Sequence, residues 1–188
     1  MRRILRIDLG SERFAFSENK YDELLAGRGL TSLIVSEEIP PACDPLGKHN
    51  KLVIAPALLS GNPAVNVNRA SFGSKSPLTG GIKESNVGGT LALALSKHDL
   101  AAIILEGRRK AKGYYILEIL DEEVRFLDAG AVAGLANYDA VARLKTMFPE
   151  AASIITIGTA GEMRLMAATI AVTDPEGNPS RHAGRGGL

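Results

Sequence analysis

The opening stretch reads Ile4-Leu5-Arg6-Ile7-Asp8-Leu9, then Gly10-Ser11-Glu12, then Phe14-Ala15-Phe16-Ser17. Its branched and aromatic residues, divided by a glycine-containing turn, predict strands over 4–9 and 14–17 joined as a hairpin. A second hairpin is predicted from 114–120 and 124–127 about the acidic turn 121–123. Local hairpins, in place of regular strand–helix–strand crossovers, decide the fold class: α+β, with mainly antiparallel β-sheets and a few helices.

The remaining elements fill in around these hairpins. Residues 52–59 form a short continuous apolar run expected to be a buried strand. Further strands are expected at 66–73, 101–106, 153–157 and 163–172. Helices are expected at 21–25 and 30–35, with Gly27-Arg28-Gly29 between them, at 88–97, and at 138–147, where Pro149 ends the pattern. Pro40, Pro41 and Pro45 mark a loop, and 74–81 and 174–180 are turn-rich.

Composition narrows the function. A chain of 188 residues suits one domain with a hydrophobic core of its own. The formal net charge of +1 offers no long-range attraction to nucleic acid or an acidic membrane, so anion binding would have to be local. Cys43, the only cysteine, cannot form an internal disulfide or hold an iron–sulfur cluster by itself. No apolar run reaches the ~20 residues of a spanning helix, and no signal peptide is evident. A cytoplasmic location and no membrane or nucleic-acid partner are the expectations.

Three segments combine glycine with arginine or asparagine. The first is Asn66-Val67-Asn68-Arg69-Ala70, running into Ser74-Lys75-Ser76-Pro77-Leu78-Thr79-Gly80. On a strand, Asn66, Asn68 and Arg69 would offer many donors, and a guanidinium fork matches phosphate oxygens; composition alone favours a turn with a solvated arginine. The second is Ser85-Asn86-Val87-Gly88-Gly89-Thr90, opening a helix. Its glycines would let an anion reach free backbone N–H groups, or Asn86 is simply an N-cap. The third is Ser180-Arg181-His182-Ala183-Gly184-Arg185-Gly186-Gly187-Leu188, either a loop that wraps an anion or a disordered tail. His49 and His98 sit among polar residues and read as surface groups. Glu84, Glu106 and Glu162 are unpaired in sequence, and no serine lies in a nucleophile elbow. The residues describe an anion- or phosphate-binding domain without visible catalytic machinery, and no catalytic residue is assigned.

Together these segments, with Ile4 to Leu9, Gly27-Arg28-Gly29-Leu30, Asp44-Pro45-Leu46, Asn50-Lys51-Leu52-Val53-Ile54, Ile104-Leu105-Glu106-Gly107, Ile157-Gly158-Thr159-Ala160-Gly161-Glu162 and Ala183-Gly184-Arg185-Gly186-Gly187, resemble the amino-terminal domain of the aldehyde:ferredoxin oxidoreductase family. The resemblance runs over most of the chain. It implies a base domain of β-sheets beneath a tungsten or molybdenum ion held by two pterin dithiolenes, with Mg2+ bridging the pterin phosphates. By position, Arg69 and Arg181 match arginines at the pterins, and Gly88 and Gly89 match glycines against which a pterin lies. Ala183, Gly184 and Arg185 fall in the family's cofactor loop. Asn86 and His182 match the residues whose carbonyls hold the Mg2+.

The resemblance further implies an enzyme that oxidises an aldehyde to a carboxylic acid and passes electrons to ferredoxin through a 4Fe-4S cluster. The cluster cysteines and acid/base residues would lie in other domains or a completing subunit. Residues 1–188 are then expected to be one amino-terminal cofactor-binding domain, inactive alone, of a longer protein. The competing expectations are a stand-alone pterin/phosphate-binding or assembly subunit without catalysis, and an ordinary nucleotide-phosphate binder.

Overall fold

The computed structural model describes residues 2–184. Its centre is a six-stranded sheet in the order β2-β1-β6-β3-β4-β5, built from β1 (Arg3–Asp8), β2 (Arg13–Glu18), β3 (Leu52–Pro56), β4 (Ala70–Lys75), β5 (Ile82–Val87) and β6 (Leu100–Glu106). Only the β1–β6 pair is parallel; the other pairs are antiparallel, as the hairpin pattern predicts. Short connections join β1 to β2 and β4 to β5, which accounts for the antiparallel pairing of those two hairpins.

Side chains alternating across the pleat split the core in two. On one face, Ile4, Val53, Ala55, Ala102 and Ile104 pack under Leu30, Ile34 and Val35 of α1 (Gly27–Glu38). On the other, Leu5, Ile7, Ile54, Phe72, Val87 and Ile103 pack with Leu91, Ala92 and Leu95 of α2 (Leu91–Lys97). That second core also takes in Val124 from the hairpin β7 (Tyr115–Ile119) and β8 (Val124–Asp128). It further includes Ile170, Val172 and Ala183 from a three-stranded sheet, β11-β10-β9, made of β9 (Ile155–Thr156), β10 (Ile170–Val172) and β11 (Arg181–Ala183). Burial on both faces explains why β6 is apolar throughout its first five residues. A third cluster joins α3 (Asn137–Met147) to Ala129, Val132 and Ile154, beside the short α4 (Gly158–Glu162).

Two devices lock α1 to the sheet. A Cβ at Gly73 of β4 would lie 2.7 Å from the Thr31 Cβ, so glycine is what allows this close approach. At the other end of α1, Arg6 and Lys51 each bridge Glu38 and Glu106 at 2.8–2.9 Å, closing a ring of alternating charge over β1, β6 and the helix end. Burial alone would raise the Glu38 pKa. Hydrogen bonds from Arg6 and Lys51 outweigh it and hold the carboxyl at about 2.

Several expected elements differ. Residues 21–25 are not helical: Asp22 accepts bonds from the Leu24 and Leu25 amides, and this Asx-turn replaces the first helical turn. Gly27-Arg28-Gly29 begins α1 and does not separate two helices. Strand β3 ends at Pro56, leaving Leu58 and Leu59 exposed. Residues 66–69 lie outside β4; Asn66 has a left-handed φ of 64°, and Asn68 accepts from the Gly61 amide. The segment 163–172 contributes strand only at β10, and α4 occupies part of the stretch read as connection.

Candidate functional site

The three arginine- and glycine-bearing segments meet at the β5 edge of the central sheet. Arg69 stands just before β4, and β4 pairs with β5 so that Ser71 faces Asn86 and Ala70 faces Val87. This register brings the Arg69 Nε to the Asn86 side-chain oxygen in a short hydrogen bond. The Asn86 amide donates in turn to Ser71 Oγ at 3.3 Å. With its oxygen and amide both engaged, the Asn86 side chain is fixed, and Arg69, an exposed residue, is held at Nε.

Gly88 and Gly89 leave β5 beside these groups. The Arg69 guanidinium passes so close to Gly88 that a Cβ there would be 3.5 Å from Nη1. Gly89 has φ +100°, and a Cβ on it would meet the Thr173 carbonyl at 2.5 Å and Arg181 Cγ at 3.4 Å. The glycine pair is therefore wedged between the Arg69 loop and the β10–β11 hairpin, and Arg181 enters from that hairpin. Asp174 lies at its bend. The Ser180 hydroxyl and Asn178 amide, with smaller help from Arg181, hold the Asp174 carboxyl below the usual range. These bonds shape the loop that delivers Arg181.

The structure thus brings Arg69, Asn86, Gly88, Gly89 and Arg181 together. Strand β11 adds His182 and Ala183, paired with Ala171 and Ile170 of β10. Ala183 is buried in the core, while His182 is exposed with its ring turned to Thr169 Oγ1 at 3.2 Å. Gly184 follows directly. Arg185 lies outside the described residues. Asn66 and Asn68, expected on one strand with Arg69, do not join it, because their loop uses Asn68 to cap Gly61.

Two local expectations change. Asn86 is not a helix cap but a residue of β5, and the N-cap of α2 is Thr90. The Thr90 amide donates to the Thr173 carbonyl at 2.9 Å, so this helix start does not present it to an anion. The segment 181–183 is paired strand, neither loop nor tail.

The remaining candidates have structural partners. His98 Nδ1 meets Asp121 at 2.6 Å, and His49 is exposed. Glu106 belongs to the ring with Arg6 and Lys51, Glu84 pairs with Arg28 at 3.0 Å, and Glu162 accepts from the Gly134 amide. Sequence reading missed Lys83 and Ser85, whose side chains both donate to the Gly184 carbonyl; only recognition of 82–87 as a strand would have placed them on one face. Among the described residues, no group of three or more His, Cys, Asp or Glu side chains is disposed to hold a metal ion, and no helix is long and apolar enough to cross a membrane.

An edge carrying two guanidinium groups, a fixed amide and glycine backbone has donors that could match a multiply anionic ligand. Comparison with known proteins defines the class. The sequence profile of the aldehyde ferredoxin oxidoreductase N-terminal domain matches residues 4–188. The tungsten-containing aldehyde ferredoxin oxidoreductase of Pyrococcus furiosus is 34% identical over 193 residues, covering 99% of this chain and 30% of that protein. The protein of the same description from Thermococcus kodakarensis is 32% identical, with the same coverage. Among solved structures, the active site complex BamBC of benzoyl coenzyme A reductase, with 1,5-dienoyl-CoA, superposes with a TM-score of 0.88 at 28% identity over the whole chain and 29% of its own. The chain belongs to the aldehyde ferredoxin oxidoreductase family and corresponds to its N-terminal domain. It spans about 30% of the length of these relatives.

Proposed function

We propose that this chain is the cofactor-supporting domain of a cytoplasmic oxidoreductase carrying a tungsten- or molybdenum-bispterin. The carrying observation is the convergence of Arg69, Asn86, Gly88, Gly89 and Arg181 from segments far apart in sequence. The donor set fits the group. Pterin phosphates bring concentrated negative charge that guanidinium forks match. Gly88 leaves backbone bare beside the Arg69 guanidinium, where a flat ring could lie close, and Gly89 carries the chain past the Thr173 carbonyl. Asn86 and His182 would supply backbone carbonyls to Mg2+, an oxygen-seeking ion. The His182 ring is turned to Thr169, which fits a role for its backbone alone. Ala183 and Gly184, with Arg185, would complete the cradle.

When bound, the cofactor supplies the redox metal and its sulfur ligands. The protein residues here bind and orient it, and none is assigned a proton transfer. The full-length protein would oxidise an aldehyde to the carboxylic acid and pass electrons to ferredoxin through a 4Fe-4S cluster held by its other domains. The identity to tungsten-containing aldehyde ferredoxin oxidoreductases supports this reaction class. Anaerobically purified full-length protein from cells grown with tungstate should reduce ferredoxin with aldehydes as donors. A tungsten-loaded, folded protein inactive toward every aldehyde class would reject that activity.

The likeness to benzoyl coenzyme A reductase favours a second reading, in which the same domain serves a reductase of an aromatic thioester. Benzoyl-CoA-dependent oxidation of a reduced electron donor, without aldehyde turnover, would select it.

A further inference from the structure

Strand β5 has two faces with different duties. Glu84 and Asn86 look toward Arg28 of α1 and Ser71 of β4. Lys83, Ser85 and Val87 look the other way, toward the small sheet: Val87 shares a core with Ala183, while Lys83 Nζ and Ser85 Oγ donate to the Gly184 carbonyl at 2.9 and 2.8 Å. One carbonyl therefore accepts two side-chain donors, one of them cationic, from positions 101 and 99 residues earlier. Charge-assisted bonds of this kind are shorter and stronger than neutral ones.

The placement of that carbonyl gives the clamp a purpose. Strand β11 has three residues and, among the described residues, pairs with β10 alone, so its exit is weakly fixed by the ladder. Thr169 crowds Gly184 from one side, where a Cβ would meet Cγ2 at 3.1 Å. Lys83 and Ser85 close the other side. The strand that bears Asn86 thus also grips the backbone immediately after His182 and Ala183. We infer that Lys83 and Ser85 are positioning residues of the cofactor site: their converging donors set the 182–184 backbone at a fixed distance from Asn86. This inference rests on the cofactor reading above, and it identifies what keeps the two halves of that site in register.

The test uses the full-length protein loaded with tungsten. The double variant Lys83→Met/Ser85→Ala removes both donors with little change in volume. It should exchange the amide hydrogens of Ala183 and Gly184 at least roughly tenfold faster, a floor set by the loss of a single hydrogen bond. It should also lose tungsten roughly tenfold faster on dialysis against a chelator, by the same scale. Lys83→Arg/Ser85→Thr restores donors in place and should return both rates to within about twofold of wild type, because charged and neutral donors are retained. Unchanged exchange, faster exchange with unchanged tungsten retention, or failure of the Arg/Thr pair to restore retention would each overturn the inference. Should the double variant not accumulate as folded protein, Ser85→Ala alone is measured by the same two rates: acceleration of both supports the positioning role, and an unchanged value of either overturns it. A parallel Arg69→Gln protein separates the two ideas. Retention of tungsten and pterin by Arg69→Gln defeats the cofactor reading, whereas loss there with full retention in the β5 variant defeats only the positioning role.

Discussion

Gly89 shows how far one atom decides this site. Its φ of +100° and the Thr173 carbonyl 2.5 Å from where a Cβ would sit leave no room for any side chain. Gly89→Ala should cost about 2–4 kcal/mol, because the obstruction is backbone and the conformation itself is strained for alanine. Chemical denaturation at constant pH checks this; a loss under 1 kcal/mol, roughly the ordinary effect of a neutral substitution, would show that the β10–β11 hairpin yields easily. The glycines and arginines were visible in the sequence as types, and their convergence was not. Arg69 finds Asn86 only because β4 and β5 pair with Ser71 opposite Asn86, a register that no local pattern encodes. Asn68 looked like a companion of Arg69 but spends its side chain on Gly61, a choice between two local bonds that spacing does not reveal.

Elements with strong apolar periodicity were legible: β1, β2, β6, the β7–β8 hairpin and α3 stand close to where the pattern puts them. Strand β5 was not, since Lys83-Glu84-Ser85-Asn86 is polar throughout. It lies at the sheet edge, where polar residues are tolerated and pairing with β4 alone specifies the strand. Helix α2 was placed three residues too early, because 88–90 are the glycine exit from that strand and the Thr90 cap. The charged ring at the end of α1 makes a prediction of its own. Glu38 has a folded pKa of about 2, below its ordinary value of 4.5. Its stabilisation is therefore fully present above pH 4.5 and is lost as the pH falls from there toward 2. After allowance for partial solvent screening it contributes about 2 kcal/mol at neutral pH. Stability curves of wild type and Glu38→Gln should keep a constant separation above pH 4.5 and converge as the pH falls from 4.5 to 2; an unchanged separation across that window would remove the ring from the energetics of α1.

Taken whole, the fold is a β-platform covered on one face by α1 and on the other by α2, a hairpin and the small sheet that delivers Arg181. Phe72, fully buried at the centre of the second core, joins these parts. Phe72→Ala should cost about 3–5 kcal/mol, and because the same core contains Val87 and Val172 it should loosen the site as well as the platform. Thermal unfolding followed beside tungsten retention checks this; full retention with a large stability loss would show that platform and site are uncoupled. The proposed function depends on these converging groups neutralising a phosphorylated metal cofactor. Its decisive test is metal and pterin analysis of the full-length protein, grown with tungstate and compared with Arg69→Gln and Arg181→Gln. Tungsten or molybdenum should be found together with pterin and magnesium in the wild type, with depletion of all three in both variants. A well-folded wild-type protein free of both metals, or variants with undiminished cofactor, would refute that role.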